Sequence, residues 1–504
     1  ICLSSASAVF AQEPSKLSLS PCGTAPGISP WLKAYNSRPV TGAPEGLTDT
    51  IWVALQVHLL NKDNGTGHFT YDRVLEAICR LNTDYAPAKI QFYLKKPIDT
   101  INKSAWFNHT EIVDGIDMML TRNVPGALNT YFVSNPAGNC GYNIPYAGVA
   151  ISHGCANSGD HTWAHEAGHA LSLPHPFIGW EGKTYSFNIP TPELLTYDYT
   201  YFHDTIDTQV PAPLDTALVE LLDGSNCYIA SDHFCDSKPD YLSYRWDCDA
   251  QQKRLVKQKD PDGAEFYSDG TLFMSYASDI CQSRFSPEEI AAMRTNLMTE
   301  KADWVTTTPP DLPATELAQA IEPVQDQMVP VNGASLRWSA VPHATYYLVQ
   351  ASRIVNFAIR EVDVITTDTS LVLGSLVLNK KYYWRVKAFN AWHQCSDFTE
   401  SATFITAPVS AAYSPDSEGW RCYPSLLSQG QALQIEVPES WLGSKAQIGV
   451  FDVAGRQVWT SDISLDGAKI KAELPSQLWN TGMYQLVMSN ARGLKRQALF
   501  IKSH

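Results

Sequence analysis

The chain has little positive charge and no long greasy stretch. Of its 504 residues, 37 are Lys or Arg against 52 Asp or Glu, a net charge of −15. No long basic run is present to neutralise a phosphate backbone, which excludes nucleic acid as the partner class. No uninterrupted run of about 18 apolar residues occurs, so no transmembrane segment is expected. Apolar residues make up 44% of the chain and aromatics 11%, enough at this length for more than one core. Residues 1–11 (ICLSSASAVFA) read as the tail of a signal peptide without its basic start, cut after Ala11, and are set apart from the fold. Export permits disulfides, so the other cysteines can be expected to pair.

What the chain does carry is HEAGHALSLPH, residues 165–175. On a helix over residues 160–172, four residues advance about 400° and about 6 Å, so the His165 and His169 imidazoles project from one face. Glu166 lies about 100° round from His165, close enough to hold a metal-bound water without taking a ligand position. On an unbroken helix His175 would sit about 240° round from His169 and roughly 9 Å further along, so the helix has to stop. Pro174 is expected to supply that stop, because it has no N–H and biases Leu173 away from helical angles. The returning chain then brings a third imidazole to the same ion. Zinc's fourth tetrahedral position is left to water, whose pKa falls to about 7 when bound. Hydrolysis of a polarised carbonyl is the implied reaction. A bare HExxH also turns up by chance in surface helices; the third histidine, the helix breaker and the packing residues Trp163, Ala167, Leu171 and Leu173 favour the metal site. His153 and His161 fall off the ligand spacing and read as ordinary polar or packed histidines.

This run resembles the metzincin pattern H-E-x-x-H-x-x-G-x-x-H with its downstream Met-turn, and within the metzincins the pappalysin (cytophagalysin) family. His165, Glu166, His169 and His175 fall on the pattern. Ser172 departs from it, standing where the family usually has a glycine with positive φ; a serine held there costs on the order of 1 kcal/mol. The segment FMSYASDICQSRFSPEEIAAM resembles the Met-turn region, which implies Met274 as the floor beneath the metal and Tyr276 as a phenol facing it. Such a phenol can donate a hydrogen bond to a tetrahedral oxyanion; plain core packing is the other reading of Met274. SDHFCDSKPDY resembles a stretch that the family uses for calcium, with Asp236 the best match and a solvated loop acid the other reading. Cys22, in PCGT, is similar to the propeptide cysteine that occupies zinc's open position until cleavage; a disulfide from Cys22 into the body is the alternative. Some relatives favour basic residues just after the cut, and Asp279 is the candidate for that charge, with an exposed loop carboxylate as the plainer reading.

The expected fold is multidomain: an α/β metzincin-like zinc peptidase domain followed by two all-β sandwich domains. A propeptide-like segment (12–48) precedes the catalytic domain (49–304). Strand-like runs at 51–60, 90–94, 130–133 and 148–152 alternate with helices near 71–85 and 113–122, and GYNIPYAGVAIS is the candidate edge that aligns an extended substrate. Ser286, Pro287 and Glu289 signpost a further helix over about 287–297. A Pro/Thr-rich linker (305–315) leads to residues 316–408, whose LRWSAV, YYLVQAS and YYWRVKAF resemble a fibronectin type III sandwich. After a second linker (409–419), residues 420–504 look like the C-terminal sorting domain read by the Por (type IX) secretion system. If Cys22 is a latch, Cys79 becomes the natural buried free thiol, with Cys140–Cys155 and two bridges among Cys227, Cys235, Cys248 and Cys281. The expected function is a secreted or cell-surface zinc endopeptidase acting on protein or peptide substrates, made latent and passed through outer-membrane secretion machinery. A catalytically inactive surface adhesin or binding protein of the same shape is the alternative.

Overall fold

The computed structural model describes residues 19–37, 49–67, 69–198, 214–249, 256–374, 376–407, 421–423, 426–428, 432–437, 439–452, 457–475, 482–490 and 493–502. The signal-peptide remnant (1–11), much of the propeptide-like segment and the second linker (409–419) lie outside them. Strands outnumber helices, and the chain divides into two compact units, one of residues 1–322, 337–371 and 383–402, the other of 323–336, 372–382 and 403–504. Among the described residues no helix is long and apolar enough to cross a membrane.

The first unit is built on a seven-stranded mixed sheet. Its centre is β1 (Ile51–Asn61), where Val53, Leu55, Val57 and Leu59 on one face and Ala54, Gln56, His58 and Leu60 on the other are all buried, as a strand covered on both faces requires. β1 is long enough to pair in parallel with β2 (Ile90–Leu94) along its first half and β3 (Asp99–Asn102) along its second. On its other side lies β4 (Leu128–Val133), followed by β6 (Gly148–Ser152), both parallel. β5 (Gly141–Ile144) closes that edge antiparallel to β6. The GYNIPYAGVAIS segment is therefore a hairpin whose first strand is the sheet edge.

Helices α1 (Pro30–Asn36), α2 (Tyr71–Tyr85), α3 (Ile112–Arg122), α4 (Thr162–Ala170) and α5 (Pro287–Thr299) complete this part. One core joins β1 to Val74, Ile78 and Leu81 of α2, to Trp163 and Ala167 of α4 and to Met293 and Leu297 of α5; a second packs Tyr131 and Val133 of β4 against Met118 and Met119 of α3. α5 starts with the expected capping box: Ser286 Oγ accepts from Glu289 N, and the Glu289 carboxylate accepts from Ser286 N.

The Pro/Thr-rich linker is not wholly free, since Val305 and Thr306 add an antiparallel strand to β1. Beyond it, Tyr346–Ser352 pairs antiparallel with Val362–Thr366 on one side and with residues 383–389 on the other, and Trp338 and Trp384 are buried. Within this unit these strands are tied to the α/β layer. Arg360 pairs with Asp72, Tyr71 N donates to Asp363 Oδ2 at 3.0 Å, Leu94 N donates to Ala391 O at 2.8 Å, and Trp392 stacks on Tyr93.

Cys79 of α2 is bonded to Cys395, 316 residues away, so the expected free thiol is corrected. Pairing Cys79 requires a partner from strands that fold back onto α2, which local spacing does not reveal. Cys140–Cys155 forms as expected, the other bridges are Cys227–Cys235 and Cys248–Cys281, and the remaining described cysteines are Cys22 and Cys422, both buried.

In the second unit, Arg421–Tyr423, Leu433–Glu436 and Lys469–Ala472 form one sheet. Leu426–Ser428, Lys445–Phe451, Gln457–Ser464, Gly482–Asn490 and Gly493–Lys502 form another. Leu433, Ile435, Ile448, Val450, Leu486 and Met488 are fully buried in one core.

Candidate metal centre

Helix α4 presents His165 and His169 on one face, as their spacing demands. It is anchored by Tyr85, whose hydroxyl donates to Ala164 O at 3.0 Å, and by His161, which pairs with Asp84 at 2.8 Å. His161 is thus a packed histidine, and buried His153 stacks on Phe69.

The helix does not stop where Pro174 was expected to stop it. It ends at Ala170, and Ser172 takes a left-handed φ of +73°. Ser172 N donates to His169 O at 2.9 Å and Leu173 N donates to Gly168 O at 3.0 Å, the pair of bonds that defines a Schellman cap. A serine therefore performs the glycine's turn, and Asn296 of α5 holds it by donating to Ser172 Oγ at 3.2 Å. The chain folds back at this point and delivers His175.

The Nε2 atoms of His165, His169 and His175 stand 3.0–3.2 Å from one another. They do not bond to each other. The Nδ1–H of His165 is used on Phe273 O and that of His169 on Leu173 O, both at 2.8 Å, which leaves Nε2 as a bare lone pair. Burial pushes His165 down to about 4 and holds His169 and His175 well below the usual imidazole range, so the rings are neutral. Three converging lone pairs repel unless a cation lies among them. Zinc–nitrogen bonds of about 2.0–2.1 Å in a tetrahedron put the nitrogens about 3.3 Å apart, so the donor set fits zinc. Among the described residues, Cys22 and these three histidines are the group whose ligand atoms could share a metal ion, all within 4.8 Å of one another.

The N-terminal segment lies across this centre. Cys140 N donates to Ser20 O at 2.7 Å and Gly23 N to Gly141 O at 2.8 Å, and the Ser20–Asn139 bridge is parallel, so residues 20–24 run beside the β5 edge. Cys22 Sγ is 3.6 Å from His169 Nε2. Burial, then the charge of Glu166, pushes the Cys22 thiol well above its usual range; a cation among the imidazoles reverses that by favouring the thiolate. Thr24 Oγ1 donates to Glu166 Oε2 at 2.9 Å and accepts from Asn143 N at 2.8 Å. Glu166 is fully buried, and burial raises its carboxyl to about 8 against hydrogen bonds from Cys22 and Thr24 that lower it. Tyr276, its ring 5.0 Å from that of His175, donates to Cys22 O at 3.3 Å; burial keeps its phenol protonated.

Met274 is fully buried beneath α4, and a Cβ added to Gly168 would meet its sulfur at 2.6 Å, so the small residue inside the motif is what lets the methionine approach. Gly141 has the same kind of role above the site: a Cβ there would lie 2.8 Å from Glu166 Cγ. For a zinc hydrolase with Glu166 as its base, Gly141→Ala is expected to displace the carboxylate and lower kcat/KM roughly a hundredfold while zinc content by metal analysis stays unchanged; an unaltered rate would show that Glu166 has room to move.

Asp236 Oδ2 accepts from Glu288 N at 2.7 Å at the start of α5, and no acidic metal cluster surrounds it among the described residues. Asp279 Oδ1 accepts from His161 N at 2.8 Å, beside the metal centre. Sequence reasoning missed Thr24 and Glu181. The Oε1 of Glu181 stands 3.7 Å from His175 Nδ1, its Oε2 accepts from Gly179 N, and burial raises the group to about 7. Only a carboxylate shortly after the third histidine hinted at it.

No protein-family model matches the chain, and no curated protein matches it. Solved structures that align with it are the chicken CNTN1 FN1-FN3 domains (16% identity, 38% of this chain, 66% of that chain, TM-score 0.16) and FN3tt (20% identity, 18% of this chain, 98% of that chain, TM-score 0.14). A third is the BSP domain of a biofilm associated protein, at 11% identity over 38% of this chain and 30% of that one, TM-score 0.15. Likenesses at these scores assign neither fold nor function.

Proposed function

We propose that this chain is a zinc-dependent endopeptidase of the metzincin type, closest in motif to the pappalysins, and that residues 19–37 belong to a segment that keeps it latent. The observation that carries this reading is the convergence of three imidazole Nε2 atoms at 3.0–3.2 Å with the Nδ1 hydrogens of His165 and His169 already committed to carbonyls. His165, His169 and His175 would hold the ion, which when bound polarises a carbonyl and acidifies a water. Glu166, in the buried pocket beside them, takes a proton from the attacking water and returns it to the leaving amine. Tyr276 donates to the oxyanion from where its hydroxyl now meets the Cys22 carbonyl. The β5 edge offers main-chain groups to an extended substrate, which suits polypeptide.

Latency follows from the same contacts. Cys22 sits at the imidazoles, Thr24 holds the general base, and the segment covers the edge strand. With zinc supplied, Cys22→Ala is expected to hydrolyse casein measurably before proteolysis, where the parent chain does not; both gain further activity when limited proteolysis releases the segment, and both stop with chelator. A matured protein that binds one zinc and cleaves nothing would overturn the reading. The inactive-adhesin alternative drew on Ser172; the φ of +73° at that serine, which makes the glycine's turn, supports the peptidase reading instead.

The four disulfides belong to an oxidising compartment, which supports a secreted or surface location. We assign residues 316–408 as a fibronectin type III-like module and 420–504 as a sorting domain for the Por machinery; deleting 420–504 tests the latter by export. Calcium at Asp236 is not part of this reading.

A further inference from the structure

Beside Tyr276 lies a pair of opposite charges that the metal centre does not use. Arg245 Nη1 stands 3.9 Å from Asp279 Oδ2, with the side chains 24% and 17% exposed. Both line a cavity of about 20 Å³ together with His165, Tyr276, Gln282 and Pro21, the residue before Cys22 in the N-terminal segment. With Pro21 in place that volume admits one water. Arg245 is also steadied by Cys140, whose sulfur lies 3.6 Å from Nη2. His165 and Tyr276 belong to the reacting centre, so this cavity is where a substrate side chain next to the scissile bond would enter.

We propose that Arg245 is a specificity-determining residue of this subsite: paired with Asp279, it occupies the place of a substrate's basic side chain and bars Lys and Arg. The inference rests on the peptidase reading. Asp279 considered alone suggests a taste for basic residues. Its two oxygens, however, are directed at the His161 N–H and at the Arg245 guanidinium, so the wall of the pocket carries no net charge. A second cation entering would meet a like charge in a confined, partly desolvated space, and discrimination built on repulsion is the more severe kind. Release of Pro21 with the N-terminal segment opens this space, and the Arg245–Asp279 pair then forms its wall. Removing the guanidinium would both enlarge the cavity and return net negative charge to its wall.

The test uses the full chain after limited proteolysis has released the N-terminal segment, and profiles its cuts in peptides from a denatured proteome. The wild type should show no enrichment of Lys or Arg at positions flanking the cut. R245A should enrich them on the order of tenfold or more at one position, and R245A/D279N should lose that enrichment. R245Q keeps a polar side chain of similar reach and guards against misfolding of R245A. Agmatine, a small guanidine, should inhibit both single variants and leave the wild type unaffected. Enrichment of Lys or Arg by the wild type, or profiles of R245A and R245Q identical to it, would overturn the role of Arg245 and leave the peptidase reading standing. Zinc-loaded proteins that cleave nothing, wild type included, would overturn both.

Discussion

Glu166→Gln is expected to lower peptide hydrolysis by about 10²–10⁴-fold, about 3–5 kcal/mol in the barrier, with close to one zinc still bound per chain. The amide has nearly the shape of the carboxylate and can still accept from Thr24, so neither fold nor latency should change. What it loses is a site for the proton. The histidines would hold the ion through Nε2 atoms oriented by Phe273 O and Leu173 O, contacts in which Glu166 takes no part. Zinc analysis alongside kcat/KM on the matured protein checks this. Loss of metal together with activity would make Glu166 structural, and retained activity would remove it from the chemistry.

The double variant Cys79→Ala/Cys395→Ala should be less stable by about 4 kcal/mol, read as a lower denaturant midpoint for the first unit. The bond closes a loop of 316 residues, and long loops lose the most freedom when cross-linked. Removing both cysteines avoids leaving a reactive thiol. An unchanged midpoint would mean that Arg360–Asp72 and the Trp392 stack hold these strands without the bond.

What the sequence revealed and what it concealed divide along the range of the interaction. The ligand spacing, the helix start at Ser286 and the buried run of β1 are local, and each was legible within a dozen residues. The turn after α4 was legible in two ways: Pro174 drew attention as the breaker, and the resemblance put a positive φ at Ser172, which is where the reversal is made. What no local pattern reports is the hydrogen bond that Asn296, more than a hundred residues downstream, donates to that serine. Cys395, Thr24 and Arg245 escaped for the same reason. Each reaches its partner only once distant segments are packed, and the residue types alone (a cysteine in a β-rich segment, a threonine in a loop, an arginine after a tyrosine) carry no sign of it.

The N-terminal segment is held by more than its cysteine. Leu32 of α1 is fully buried, Trp31 donates to Thr299, and Asn36 donates to His233 O. Scission of the chain after Ser37 therefore does not by itself uncover the cleft; it turns a tethered occupant into a separate peptide that can rebind. Before the cut its effective concentration is set by the tether, and afterwards only by how much protein is in the tube. For a latent peptidase, awakening would then be governed by dilution as well as by the nick: a crowded preparation would stay dormant, and one that disperses would become competent.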